Sequence, residues 1–333
     1  MLQTLLELVP KLKDKKIMVI GDMVADVYLE GKIARISREA PVLILEHSAE
    51  HVVPGGAANA TYNVAALGGE VFAMGVVGDD YAGNQLRQEL GDKGIHTDGL
   101  ISGPDRPTIT KTRIMAGGQA TVRQQIVRID RECKQPFSEE TEEKIVKSIK
   151  ENLSAMAAVV LSDYGSHTVS SRIRDYVIAY CKEMQIPCIV DSRYDVMSYK
   201  GVTVVKQNES EAAAALGLKT VDAVSLQHAG KIILERLEAE AVLISRGPDG
   251  MMLFERSGKI SNIPVTNKSE VYDVTGAGDT VVAAMTLALA AGASYYDAAR
   301  LSNFAAGIVV RKPGTATSSP EELREAIGNH DGA

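Results

Sequence analysis

The 333-residue chain has no tryptophan, four phenylalanines, three cysteines and no long hydrophobic run. Each scarcity excludes something. Cys133, Cys181 and Cys188 form no CxxC pair and cannot build a disulfide framework in a chain this long, which fits a reducing, cytoplasmic setting. The longest apolar stretch, 281–293, falls short of the roughly twenty residues a bilayer span needs, so it reads as a buried helix of a soluble core. At the N-terminus, MLQTLLELVPKLKDKK places its lysines after the apolar part, the reverse of a secretory signal. Positive charge is not in excess either. Lys+Arg 36 against Asp+Glu 43 gives a net charge of −7, which lacks the footprint of a general nucleic-acid or anionic-membrane binder while leaving room for a local basic pocket. No GxxxxGK[ST] occurs, and GAGDTV lacks the last glycine of GxGxxG, so P-loop and dinucleotide-binding readings are set aside.

What is present is ordinary for a globular protein, 45% hydrophobic and 24% charged, at a length suited to one large α/β domain spanning 1–333. Short apolar runs, KIMVIGD (16–22), VFAMGVVGD (71–79), AAVVLSDYG (157–165), PCIVD (187–191), VTVVKQN (202–208) and AVLISRG (241–247), alternate with helix-length segments at 57–67, 170–185, 209–216 and 225–237. Such alternation predicts βαβ units and a doubly wound, mostly parallel sheet with helices on both faces. Residues 30–47 and 107–130 break the rhythm. They alternate in the strand manner, with Gly117-Gly118 as a turn, and predict a small antiparallel β-flap inserted in the body. Because open α/β sheets bind ligands at the carboxyl ends of their strands, the flap is placed to act as a lid.

The segment Asp273-Val-Thr-Gly276-Ala277-Gly278-Asp279 runs a glycine-rich turn into an apolar helix, where free N–H groups at 276–278 would form an anion hole. Read alone, Asp279 merely offsets a helix dipole. Beside an anion hole, the same carboxylate takes a proton from an attacking hydroxyl while the N–H groups hold a transferring phosphoryl group.

This stretch resembles the C-terminal signature of the ribokinase-like (PfkB) carbohydrate kinases, and other signatures follow in the same order. Pro54-Gly55-Gly56-Ala57-Ala58-Asn59 resembles the N-terminal one, which implies close approach of a sugar to Gly55 and Gly56 and a sugar-hydroxyl contact from Asn59; read alone it is a helix start after a turn. By the same resemblance Asp22 and Asp26, at the end of the first strand, hold sugar hydroxyls, where the plainer reading is a solvated loop carboxylate. Asn208-Glu-Ser-Glu211 is similar to the NxxE motif that organises Mg²⁺ and phosphates, and serves equally as a helix cap. Ser245-Arg-Gly247-Pro-Asp-Gly250 resembles the nucleotide loop, with serine for threonine, and also fits a hairpin turn. Asn303 falls where the family lines its adenine pocket, or is ordinary helix polarity.

Within the family the chain looks most like the kinase domain that phosphorylates D-glycero-D-manno-heptose 7-phosphate at the anomeric hydroxyl. The likeness lies in Arg35-Ile-Ser-Arg-Glu-Ala-Pro41, Pro107-Thr-Ile-Thr-Lys111-Thr-Arg113, Leu161-Ser-Asp163-Tyr-Gly165 and Lys312-Pro-Gly-Thr-Ala-Thr, and it carries Asp163 into the substrate set. Lys111, Arg113 and Arg128 supply the charge a sugar phosphate needs, or solubilise exposed strands. Two departures stand out: the flap hairpin is lengthened by Gly117-Gly-Gln-Ala-Thr-Val-Arg, and Ser192-Arg193 follows Asp191 where a proline is expected. Some members carry a nucleotidyltransferase domain after the kinase. This chain stops at Ala333, so making an activated nucleotide-sugar is expected to need another protein.

The resemblance implies ATP and Mg²⁺ as cofactors; some relatives also hold a monovalent cation near the position of Asp273, which this sequence does not reveal, and the exposed strand edges of the flap suggest a homodimer in which two chains cover each other. Two alternatives remain, a fructokinase or ribokinase type and a catalytically silent binding protein, the latter disfavoured by the retained Asp279 and glycine turn. His47-Ser-Ala-Glu50-His51 matches an inverted zinc-protease motif, but its flanks predict strand and turn rather than one helical face, and zinc is rejected.

Overall fold

The computed structural model describes residues 2–103, 106–117, 124–133, 135–218, 222–266 and 271–330. In chain order these form α1 (Leu2–Leu8), β1 (Lys16–Gly21), β2 (Met23–Ile36), β3 (Leu43–Gly56), α2 (Ala57–Ala66), β4 (Glu70–Gly78), α3 (Tyr81–Asp92), β5 (Leu100–Gly103), β6 (Ile109–Gly117) and β7 (Gln124–Arg131). Then come α4 (Glu139–Asn152), β8 (Ala158–Asp163), α5 (Ser171–Met184), β9 (Cys188–Ser192), β10 (Val204–Asn208), α6 (Glu209–Ala215), α7 (Ala223–Arg236), β11 (Ala241–Ser245), β12 (Met251–Glu255), β13 (Ile260–Ile263), α8 (Ala277–Ala290), α9 (Tyr295–Val309) and α10 (Pro320–His330).

The larger sheet has nine strands in the order β13-β12-β11-β10-β9-β8-β1-β4-β5. Every pairing is parallel except β11–β12 and β12–β13. The apolar runs become its buried strands because helices cover both faces: Ile17 and Val19 of β1 enter one core cluster with α2, α8 and α9, whereas Met18 and Ile20 enter the other with α4, α5 and α7. Strand order reverses at β1, flanked by β4 and β8, which opens a crevice at the carboxyl ends of β1 and β8.

The smaller sheet runs β3-β2-β6-β7 and departs from the expected flap in two respects. Its strands are longer, since β2 starts at Met23 and β3 runs to Gly56, straight into α2. Its central pair, β2 and β6, is parallel rather than antiparallel, because both leave the large sheet outward and only β3 and β7 return. Gly118 and the rest of the lengthened hairpin lie outside the described residues.

Candidate active site

Gly276 precedes helix α8 as its N-cap, its φ of +77° sits in the left-handed region that glycine tolerates, and a Cβ there would stand 2.6 Å from Asn59 Nδ2. At Gly278 a Cβ would stand 2.8 Å from Lys206 Nζ. The two glycines therefore let α2 and β10 bring an amide and an ammonium against the turn. The Ala277 N–H is not free as expected, since it donates to Val274 O at 3.2 Å, while those of Gly276 and Gly278 have no acceptor among the described residues. The anion hole is thus narrower in backbone terms and reinforced by Lys206.

Asp279, 6% exposed in the first turn, is the centre of a buried polar chain. Asn59 Nδ2 donates to its Oδ2 at 2.7 Å and the Tyr164 hydroxyl donates to its Oδ1 at 2.8 Å. Asn63 Nδ2 donates to Asn59 O and Oδ1, and the Thr280 hydroxyl donates to Asn63 Oδ1 at 2.7 Å. Burial pushes the Asp279 carboxyl up to about 6; the Asp191 anion pushes the same way, while the Asn59 and Tyr164 hydrogen bonds and Lys206 oppose it.

Sequence reasoning missed Lys206, Asp191 and Tyr164. Lys206 Nζ lies 2.7 Å from Asp191 Oδ2, the lysine being 4% exposed. Burial works against its charge, but Asp191, Glu211 and Asp279 together raise its pKa. A lysine inside the apolar run VTVVKQN was the available signal, because a buried strand keeps a charge only if it is paired.

The expected sugar-binding residues divide. Asp26 lies at the base of the small sheet, paired with Arg113 at 2.9 Å, and a Cβ on Gly55 would sit 2.8 Å from its carboxyl carbon, so Gly55 is what makes room for it. Gly56, with φ of +55°, turns β3 into α2. Asp22, by contrast, is fully buried and spent on the loop after β8: Tyr164 N–H and Ser166 N–H donate to Oδ2 at 2.8 and 2.9 Å, and Thr168 N–H to Oδ1 at 3.1 Å. It anchors that loop instead of facing a sugar. Asp163 is likewise occupied, accepting from Gly165 N–H, the Ser192 hydroxyl and the Tyr199 hydroxyl. The Asn59 amide is turned to Asp279 rather than held open for a hydroxyl.

On the small sheet two cross-strand rows share one face, Asp26–Lys111–Asp130 and Tyr28–Arg113–Arg128. Lys111 Nζ lies 5.5 Å from the centre of the Tyr164 ring, so this face looks onto the crevice. Arg128, expected to be open for a phosphate, is closed on Asp130 through two bonds of 2.7 and 2.6 Å.

Of the five residues expected on the nucleotide side, Ser245, Gly247, Gly250 and Asn303 line one mostly apolar cavity of about 620 Å³ that continues to Ala277 and Gly278, and Asn208 does not line it. The hairpin alternative is also realised, because β11 and β12 are antiparallel across 247–249. A Cβ on Gly250, whose φ is +83°, would stand 2.1 Å from Ile263 O, which makes this glycine a requirement of the sheet edge. Asn303 Nδ2 donates to Pro264 O at 2.7 Å. Asn208 and Glu211 do form the capping arrangement: Glu211 N–H donates to Asn208 Oδ1, and Asn208 N–H to Glu211 Oε2, both at 2.8 Å.

This geometry agrees with comparisons to known proteins. The profile of the pfkB family of carbohydrate kinases matches residues 14–322. The bifunctional protein HldE of Geobacter metallireducens is 43% identical over 317 residues, covering 95% of this chain and 64% of its own length, and that of Geobacter sulfurreducens is 41% identical over 316, covering 95% and 63%. The chain thus spans under two thirds of the relatives it matches. Among solved structures, phosphofructokinase-2 from Escherichia coli in complex with potassium superposes with a TM-score of 0.74 at 20% identity, over 96% of this chain and 99% of that one. Arabidopsis thaliana ribokinase complexed with ribose and ATP gives 0.69 at 20%, over 96% and 98%. The chain belongs to the pfkB family of carbohydrate kinases and is an ATP-dependent sugar kinase of ribokinase-like fold.

Proposed function

We propose that the protein phosphorylates the anomeric hydroxyl of a sugar phosphate, D-glycero-D-manno-heptose 7-phosphate, at the expense of ATP. The observation that carries the reading is the buried Asp279 carboxylate between the glycine turn and the basic face of the small sheet, supported by the likeness to HldE. Asp279 takes the hydroxyl proton, the freed oxygen attacks the γ-phosphorus, and the bond from phosphorus to the bridging oxygen of ADP breaks. Lys206 and the N–H groups of Gly276 and Gly278 meet the charge of the transferring phosphoryl. Asp26, Gly55 and Gly56 form the sugar side of the site, Asn59 holds Asp279 beside it, and Ser245, Gly247, Gly250 and Asn303 form the nucleotide side.

Among the described residues no cluster of three or more His, Cys, Asp or Glu forms a dedicated metal cage. Mg²⁺ keeps water and phosphate ligands and needs only one or two carboxylates. Glu211 fits, with one oxygen on the Asn208 N–H and the other without a donor among the described residues. Mg²⁺ bound with ATP supplies neutralisation of the phosphate tail, near Asn208 and Glu211. A monovalent cation beside Asp273 is a further part of the proposal, drawn from the likeness to phosphofructokinase-2 in complex with potassium; Asp273 itself accepts from the N–H groups of Thr275 and Gly314. Among the described residues no helix is long and apolar enough to cross a membrane, and a cytoplasmic homodimer, joined through the small sheet, completes the reading.

The three cations and two carboxylates on the basic face leave a surplus positive charge for the acceptor's phosphate. Charge-assisted contacts contribute about 1.5–3 kcal/mol each, so two favour a phosphorylated acceptor by roughly 10²-fold or more in kcat/KM. ADP release measured over heptose 7-phosphate, free heptose, fructose and ribose tests this. The reading predicts that preference, with Arg113 and Arg128 exchanging their contacts to Asp26 and Asp130 for the acceptor's phosphate, and its collapse in the Arg113→Ala, Arg128→Ala double variant; equal use of free fructose or ribose makes the protein a general sugar kinase instead.

A further inference from the structure

The proton-accepting role of Asp279 leaves a question of aim, because a carboxylate that rotates offers the acceptor hydroxyl no fixed lone pair. Asn59 holds Oδ2 from helix α2. The second hold comes from Tyr164, just past the end of β8, whose hydroxyl lies 2.8 Å from Oδ1. Its backbone is pinned by the buried Asp22 carboxylate, and the loop that continues from it turns inward through two left-handed residues, Gly165 at φ +82° and His167 at φ +69°. Its ring is capped by the Lys111 ammonium from β6. Tyr164 is therefore fixed at its main chain, its ring and its hydroxyl.

We propose that Tyr164 is a positioning residue for Asp279, its phenol fixing the carboxylate so that a free lone pair points at the acceptor hydroxyl. The inference rests on the reading of Asp279 as the proton acceptor. Burial, and then the Asp279 anion that the phenol faces, hold the Tyr164 pKa well above the ordinary tyrosine range, with Asp191 of β9 and Glu211 of α6 adding to the effect. The phenol stays protonated at all working pH values, acting as a donor and not as the base. The groups that face Asp279 itself are Asn59 from α2, Asp191 from β9, Lys206 from β10 and Tyr164; the Asn59 and Tyr164 hydrogen bonds and the Lys206 charge favour the anion, and Asp191 opposes it.

The test is Tyr164→Phe, which removes one oxygen and keeps the ring beneath Lys111. With the donor gone the Asp279 anion is less favoured, so the acidic limb of kcat/KM moves to higher pH, kcat at its optimum falls on the order of 10–10²-fold, the worth of a hydrogen bond to a charged group, and the KM for ATP stays put. Site-specific 3-fluorotyrosine at 164, which keeps the shape and sharpens the donor, moves the limb the opposite way. An unmoved limb in Tyr164→Phe overturns the proposal, and if that variant does not fold, an unmoved limb in the fluorinated protein does so. Asp279→Asn, assayed alongside, separates the failures. Near-normal turnover there removes the reading of Asp279 itself, whereas lost turnover with an unmoved Tyr164 limb removes only the positioning role.

Discussion

At Asp279 burial and chemistry oppose one another. A carboxylate taken out of water is costly to ionise, and this one, raised to about 6, is poised to accept a proton near neutrality because Asn59, Tyr164 and Lys206 partly offset that cost. Two outcomes follow with opposite signs. For activity, the base must be ionised, so kcat/KM falls as pH drops through about 6, which a pH–rate profile reads. For stability, the folded carboxyl holds its proton more tightly than the unfolded one, whose ordinary value is 3.8, so the wild type gains stability as pH falls from about 6 toward 4. Asp279→Asn has no such gain. Melting curves should show the variant's Tm above the wild type's at about pH 8, with the gap closing toward about pH 4; a gap that widens on acidification contradicts the assignment of the buried charge.

At the scale of elements, six of the nine strands of the large sheet, β1, β4 and β8 to β11, were legible because each is an apolar run bounded by turn residues, whereas the short edge strands β5 and β13 were not. The direction of β2 against β6 was not legible, since alternation of period two is the same in parallel and antiparallel strands. Nor were the partners of Asp22 and Asn59. A carboxylate at a strand end gives no sign whether loop N–H groups or a sugar will take it up, and Asn59 meets Asp279 across 220 residues of sequence. Position was legible for four of the five residues expected on the nucleotide side: Ser245, Gly247, Gly250 and Asn303 come from β11, the turn after it and α9 and line one cavity, whereas Asn208 does not. Ala306, on α9, also lines it. Ala306→Phe should fill the space against the β11–β12 hairpin and raise the KM for ATP by roughly 10–10²-fold, given about 1–3 kcal/mol for overfilling a packed site, while leaving sugar affinity nearly unchanged. Steady-state kinetics with each substrate varied separately checks this, and a rise confined to the sugar KM reassigns the cavity.

At the scale of the molecule, the net charge of −7 and the local basic face are compatible because the cations sit on one side of the small sheet. That sheet has two edges, β3 and β7, and on β7 the alternate residues Val127 and Ile129 are 45% and 55% exposed. Exposed apolar residues on an edge strand invite a second copy. Ile129→Glu should lower the dimer fraction in sedimentation velocity without lowering the melting temperature, and an unchanged sedimentation coefficient rules out this face as the interface. The central claim is narrower: one carboxylate at the start of α8 removes the acceptor proton. Sugar-dependent ADP release by Asp279→Asn, at saturating ATP and matched to the wild type in nucleotide binding, tests it most directly. A fall in kcat on the order of 10²–10⁴-fold is the predicted result, and turnover within about threefold of wild type would contradict it.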